Sequence, residues 1–207
     1  MPIMEPKMIF FRIGWMQNYS GLNQQDQIIG GGGFIDENQF GHEIFNFQPY
    51  ENNYFGYVQP VGTGNDYLNR SIYIPRLGAG AGDPSIDKIL VIYFAKKPNT
   101  NGHVIVGWYK DATVFRTGQH APEGSNRFFN GTECGYYCSS PKMNGTLLTV
   151  EERTFEMPIR GNGGPGQSNV WFADDEGKHL QSRQMILNYI NGKLRGKEEY
   201  KRKSKVG

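Results

Sequence analysis

Short runs of aromatic and β-branched residues, separated by Gly, Pro, Asn and Asp, recur through most of the chain, which is the punctuation of successive strands joined by tight turns. MIFFRI (8–13) reads as a first strand, and WMQNYSGL (15–22) after it makes one or two helical turns. Gly30 to Gly33 break any regular element and suit a sharp turn or the close approach of a ligand to the main chain. FGHEIFNF (40–47), YFGYVQPV (54–61) and SIYIPRL (71–77) read as further strands. KILVIYFA (88–95), a turn, and HVIVGWY (103–109) form a central hairpin, and ATVFR (112–116) follows a Lys-Asp turn as another strand.

Residues 122–145 loosen into Gly, Ser and Asn without periodicity, strand character returns in LLTVEERTFEMPI (147–159), and GNGGPGQSNVWFADD (161–175) is a Gly-rich loop. Beyond it, HLQSRQMILNYINGKL (179–194) places Leu180, Leu187, Ile190 and Leu194 on one helical face. The expectation is a strand-rich α+β fold: one twisted, partly or fully closed sheet, a few peripheral helices and a C-terminal helix. Residues 1–195 form a single recognition domain on this reading, and 196–207 a basic tail or linker, so that the chain reads as one module of a longer protein.

Composition supports that class. Aromatics make up 14% of 207 residues and 28 are Gly, a pairing suited to many short strands. No apolar run approaches the roughly 18 residues that span a bilayer, and the N-terminus lacks the layout of a signal peptide, so a cytoplasmic protein without a membrane partner is expected. The net charge of +2 is unevenly spread: residues 193–207 hold seven Lys/Arg and two Glu. A basic end on a near-neutral body suits a nucleic-acid partner or merely a solvated tail.

Catalytic chemistry is sparse. His42, His103, His120 and His179 have no metal spacing, and Cys134 with Cys138 is half a zinc site without its other half, so neither metal nor cofactor is expected. No nucleophile elbow, Walker loop or HExxH helix is present. Asp36, Glu37 and Glu43 are the acidic residues from which an acid–base pair could be drawn, though carboxylates in such a region are ordinarily surface groups. The aromatic residues carry more. Trp15, Trp108 and Trp171 each sit beside glycine or polar residues, as core tryptophans do, and as a pocket for a planar ring also requires; Tyr57 and Tyr109 lie in similar surroundings. Asn46, Asn169, Gln167 and Ser168 could bond a ring's edge.

The segments FFRIGWMQNYSGL, GGGGFIDENQFGHEIFNF, YFGYVQP, VIVGWYKDATVFR, LLTVEERTF and GGPGQSNVWFAD together resemble the N-terminal region of bacterial HNH-type restriction endonucleases, across roughly residues 8–175. The resemblance implies a target-reading part without the HNH cutting region. Readers in modification-dependent restriction are similar to PUA-superfamily barrels of the EVE, YTH and SRA-like kinds, which hold a flipped base in an aromatic cage. Carried onto this chain, that implies a base pocket of Trp15, Tyr57, Trp108, Trp171, Asn46 and Asn169. Phosphate contacts are then expected from Lys110, Arg116, Lys201, Arg202 and Lys203, with a nuclease domain or subunit as partner and no catalytic residue in the chain itself. An RNA-binding PUA-like module, a small metal-dependent nuclease and a protein-interaction domain with core aromatics are the competing readings.

Overall fold

The computed structural model describes residues 5–31, 35, 38–62, 66–173 and 176–203, with side chains described as far as 196. The chain divides into two compact units, residues 1–157 with 167–172, and residues 158–166 with 173–207. The expected boundary after residue 195 does not separate two elements, because the C-terminal helix runs through it.

The first unit is a strand-rich mixed sheet. Its strands are β1 (Met8–Ile13), β2 (Asn53–Gly56), β3 (Ser85–Lys96), β4 (His103–Gln119), β7 (Tyr136–Pro141), β8 (Gly145–Leu147) and β9 (Val170–Trp171); β5 (Phe128–Phe129) and β6 (Thr132–Glu133) make a separate small hairpin. The order across the sheet is β2-β7-β4-β3-β1-β9, with β8 also on β4. β1 runs parallel to β3 and the other pairings are antiparallel. Along one edge β4 meets β8 through Gly107–Tyr109 and then β7 from Thr113 onward, while β3 follows it along the other edge with three register shifts. These shifts, with Lys88 and Asp111 at positive φ, bend a hairpin that is much longer than a flat sheet tolerates.

Cross-strand rows define the two faces. Trp171, Phe10, Ile92 and Trp108 are lateral partners and share one face; Val170, Phe11, Tyr93 and Gly107 form the adjacent row and share the other. On the second face an aromatic core gathers around Tyr93 and Tyr109, whose rings are 4.9 Å apart, with Phe47 at 5.5 and 5.3 Å from them and Tyr54 stacked on Tyr109 at 5.6 Å. The polar ends are satisfied internally: Tyr93 Oη meets Cys138 Sγ at 3.1 Å, and Tyr109 donates to the Asn46 carbonyl.

Several expected strands are something else. His42–Phe45 is a 3-10 turn in which Glu43, Ile44 and Phe45 are all buried, a run that a strand with one buried face cannot provide. SIYIPRL becomes a 3-10 turn at Ile74–Leu77, since Pro75 cannot donate to a ladder. ATVFR is no separate strand but the continuation of β4. In LLTVEERTFEMPI the strand stops at Leu147, and Thr149 and Glu152 close a capping box around the turn Val150–Glu152. Residues 122–145, expected to be irregular, contain β5, β6 and β7.

The second unit is built on α1 (Gly177–Lys203) and the turn Arg160–Asn162. Its buried stripe is Ser182, Ile186 and Ile190 at a spacing of four, rather than Leu180, Leu187 and Leu194, which are half-buried. Lys178 Nζ donates to the Gly161 carbonyl at 2.9 Å, and Gly163, at φ 81°, leaves no room for a Cβ against the Lys178 carbonyl. Residues 196–203, expected as a tail or linker, continue this helix. No helix among the described residues is long and apolar enough to cross a membrane.

Candidate functional site

The expected tryptophan cage is distributed over both faces of the sheet. Trp108 is fully buried and Trp171 nearly so, on one face, with Trp171 4.5 Å from Phe10. Trp15 belongs to the core on the other face, where its backbone bridges Ile29 and its ring lies 4.7 Å from the guanidinium of Arg153. The three indoles therefore converge on no common space. Asn46 and Tyr57 are brought together, but by each other: the Asn46 amide accepts from Tyr57 N at 2.7 Å and donates to Tyr57 O at 2.9 Å. Asn169 donates to the Gln59 carbonyl at 3.3 Å.

Two arginines absent from the sequence-based expectation organise this core. Arg127 donates to the carbonyls of Cys134, Phe45, Phe55 and Gly135, and Arg153 to those of Leu148, Met16 and Gln17. Each spends its forked donors on carbonyls both close by and far away in sequence, Arg127 reaching Phe45 and Phe55 and Arg153 reaching Met16 and Gln17. Arg116, expected on phosphate, is similarly engaged, donating to Asp83 O at 2.7 Å and Gly80 O at 3.0 Å; Lys110 is half-buried on β4. The side chains of Lys201, Arg202 and Lys203 lie outside the described residues, as do Asp36 and Glu37. Glu43 is buried, accepts from Gly14 N at 3.3 Å, and is raised by burial above the ordinary carboxyl range.

A polar aromatic cluster adjoins these structural groups and shares Tyr57 with them. The His42 imidazole lies between two tyrosines, 4.6 Å from the Tyr57 ring and 4.9 Å from the Tyr67 ring in an edge-on contact. Its Nδ1 is buried with no hydrogen-bond partner among the described residues. Burial first, and then the charge of Arg127, depress His42 to a pKa of about 4 despite an opposing pull from Glu133, so the ring is neutral at physiological pH. Tyr67 is set by a turn that Asp66 caps through Leu68 N at 2.9 Å, and it is clamped by two glycines: a Cβ at Gly118 or Gly135 would fall within 2.6 Å of its ring. The Tyr67 hydroxyl donates to Glu133 Oε2 at 3.0 Å, and the same carboxylate meets His120 Nδ1 at 2.9 Å and accepts from Ala121 N at 2.8 Å. Burial alone would raise Glu133; the three hydrogen bonds outweigh it and hold the group below its usual range.

The cluster brings together two buried tyrosine rings, one unpaired ring nitrogen and a fixed carboxylate. It is a poor set for covalent or metal chemistry. The Cys134 thiol nearby is buried and pushed up to about 12, and no group of three His, Cys, Asp or Glu among the described residues is arranged to hold a metal ion. His42, Tyr67, Glu133 and His120 come from four separate segments and carry no shared spacing, so no local motif announces them. Their nearest sequence signal is the density of Tyr and Gly around them.

Fold and cluster together define a strand-rich α+β protein with a mixed sheet, a C-terminal helix and an aromatic polar site. The chain matches no family model, and no curated protein or solved structure resembles it at a significant level.

Proposed function

We propose that this chain is the reading module of a modification-dependent restriction system, a PUA-like nucleic-acid-binding domain that takes a modified base, flipped out of duplex DNA, against His42, Tyr57 and Tyr67, with a nuclease domain or subunit as its partner. The observation that supports the reading is the neutral His42 ring with a buried, unpartnered Nδ1 beside two tyrosine faces. A buried polar atom left unpaired costs about 1–3 kcal/mol, and a base edge would relieve that cost while its face stacks on a ring. Flipping itself costs a few kcal/mol, least for an altered base, so a site that recovers this cost only with the matching base discriminates by modification.

The test is binding of the protein to duplexes carrying different modified bases, to unmodified duplex and to RNA of the same sequence, for wild type and His42→Gln. Loss of the imidazole should weaken the preferred modified duplex by about tenfold to a hundredfold, the equivalent of roughly 1–3 kcal/mol for one base on an aromatic platform, and barely affect unmodified DNA. If a His42→Gln protein of unaltered thermal stability keeps the same ratio of modified to unmodified binding, the reading is wrong. Preferential binding of RNA by the wild type would instead favour an RNA-binding module of the same kind.

A further inference from the structure

We propose that a cleft at the turn between β3 and β4 is a phosphate site, and that the phosphate it takes belongs to a nucleic-acid backbone, the latter part resting on the function proposed above. The cleft is lined by Ile29, Gly30 and residues 96–101 and measures about 420 Å³. That lies within the roughly 300–1,000 Å³ of small-ligand sites. The lining residues include two lysines, Lys96 and Lys97, two asparagines, Asn99 and Asn101, and Gly30, beside Ile29, Pro98 and Thr100, and hold no carboxylate. Gly30, at φ 65°, presents bare main chain there, with open space where a Cβ would stand.

The topology concentrates positive charge at this end of the sheet. Because β1 and β3 run parallel, Arg12 near the end of β1 and Lys96 at the end of β3 arrive together, and Lys96 is paired across to His103 on β4. His103 records the field: burial, then Arg12 and Lys96, hold it below the ordinary imidazole range. Lys96 and Lys97 are exposed, and neither ammonium has a hydrogen bond or ion pair among the described residues. Glu156 lies beside Gly102 but outside the cleft lining. Neighbouring cations repel one another, and an anion seated between them reduces that repulsion. Lysine acts on phosphate as a point charge and needs no bidentate geometry, which suits an open cleft.

The experiment is a salt series with the same modified and unmodified duplexes, comparing wild type with the double variant Lys96→Gln, Lys97→Gln; both positions are solvent-facing, so the fold is retained. Each phosphate contact contributes about 0.9 to the slope of log affinity against log salt, so losing two contacts flattens the slope by about 1.8 and makes the fall in affinity between roughly 50 and 200 mM salt about tenfold smaller. Both duplexes should weaken by one common factor, with the modified-to-unmodified ratio unchanged. If the wild type binds DNA and the double variant keeps the wild-type slope, the cleft is overturned and the base site is left standing. If the wild type binds no nucleic acid, the nucleic-acid source is overturned, and inorganic pyrophosphate decides the remainder. Shifts of the amide resonances of Lys97 and residues 99–101 in the wild type, with those of residues 99–101 unmoved in the double variant, support a site for free phosphates, and no shifts in the wild type overturn it.

Discussion

His42 shows how one side chain couples the site to stability. Its pKa is about 4 in the folded protein against about 6.5 for an unperturbed imidazole, so between these values the unfolded chain binds the proton and the folded protein does not. A depressed folded pKa contributes stability that is present above the unfolded value and is lost as pH falls towards the folded one. Unfolding free energy of the wild type should therefore drop from pH 6.5 to pH 4 by up to about 1.4 kcal/mol per pH unit from this group alone. Urea titrations across that window should show the His42→Gln protein losing less stability over the same interval. An identical pH dependence in the two proteins would place the acid sensitivity on other groups. Glu133, held below its usual range, adds its loss at lower pH and remains in both proteins. Trp108 illustrates the opposite case: a large aromatic beside glycine suggests a ligand platform, yet its lateral pairing with Ile92 places it in a fully buried row.

The central element is β4, which serves three neighbours because its sequence changes character along its length. Gly107 is required where β8 and the core approach together: a Cβ there would sit 2.4 Å from the Thr146 carbonyl and 2.7 Å from Phe47. The first contact is with backbone and cannot be relieved by a rotamer change. Gly107→Ala should therefore push β8 off β4, at a cost of about 1–3 kcal/mol for an overpacked position. Hydrogen exchange should register it first at the Leu148 amide, which bonds to the Val106 carbonyl at 2.9 Å. Protection there equal to wild type would show that the strand pair absorbs the methyl group. Strand content of β1, β3 and β4 was legible because their apolar runs are long and continuous. β7 was not, since its Tyr-Tyr start is followed by Ser-Ser-Pro, which gives no continuous strand signal, and the segment becomes a strand through pairing with β2 and β4.

For the whole molecule, charge is the property that acts at a distance. The excess of Lys and Arg after residue 192 lies on the last turns of α1 and the residues beyond it, so the basic end is carried by a helix as far as Lys203. Under the proposed function, deleting residues 196–207 should weaken modified and unmodified duplexes alike and flatten the salt dependence, because contacts to phosphate release counterions whatever the base. A truncated protein that keeps its salt slope while losing preference for one base would assign the tail to recognition instead.

Local pattern alone determined that the protein is strand-rich, that its central feature is the β3–β4 hairpin and that a helix follows the last Gly-rich loop, because propensity, turn residues and periodicity are written in consecutive positions. It also established the basic end, since net charge is a sum that needs no coordinates. Tertiary structure alone decided which aromatic and polar residues share a space. The parallel pairing of β1 with β3, the divided edge of β4 and the carbonyl bonds of Arg127 and Arg153 bring distant segments together. They bury the tryptophans in two different faces and leave His42 between Tyr57 and Tyr67. Contacts at such separations depend on strand order and register, which residue type at a single position does not encode.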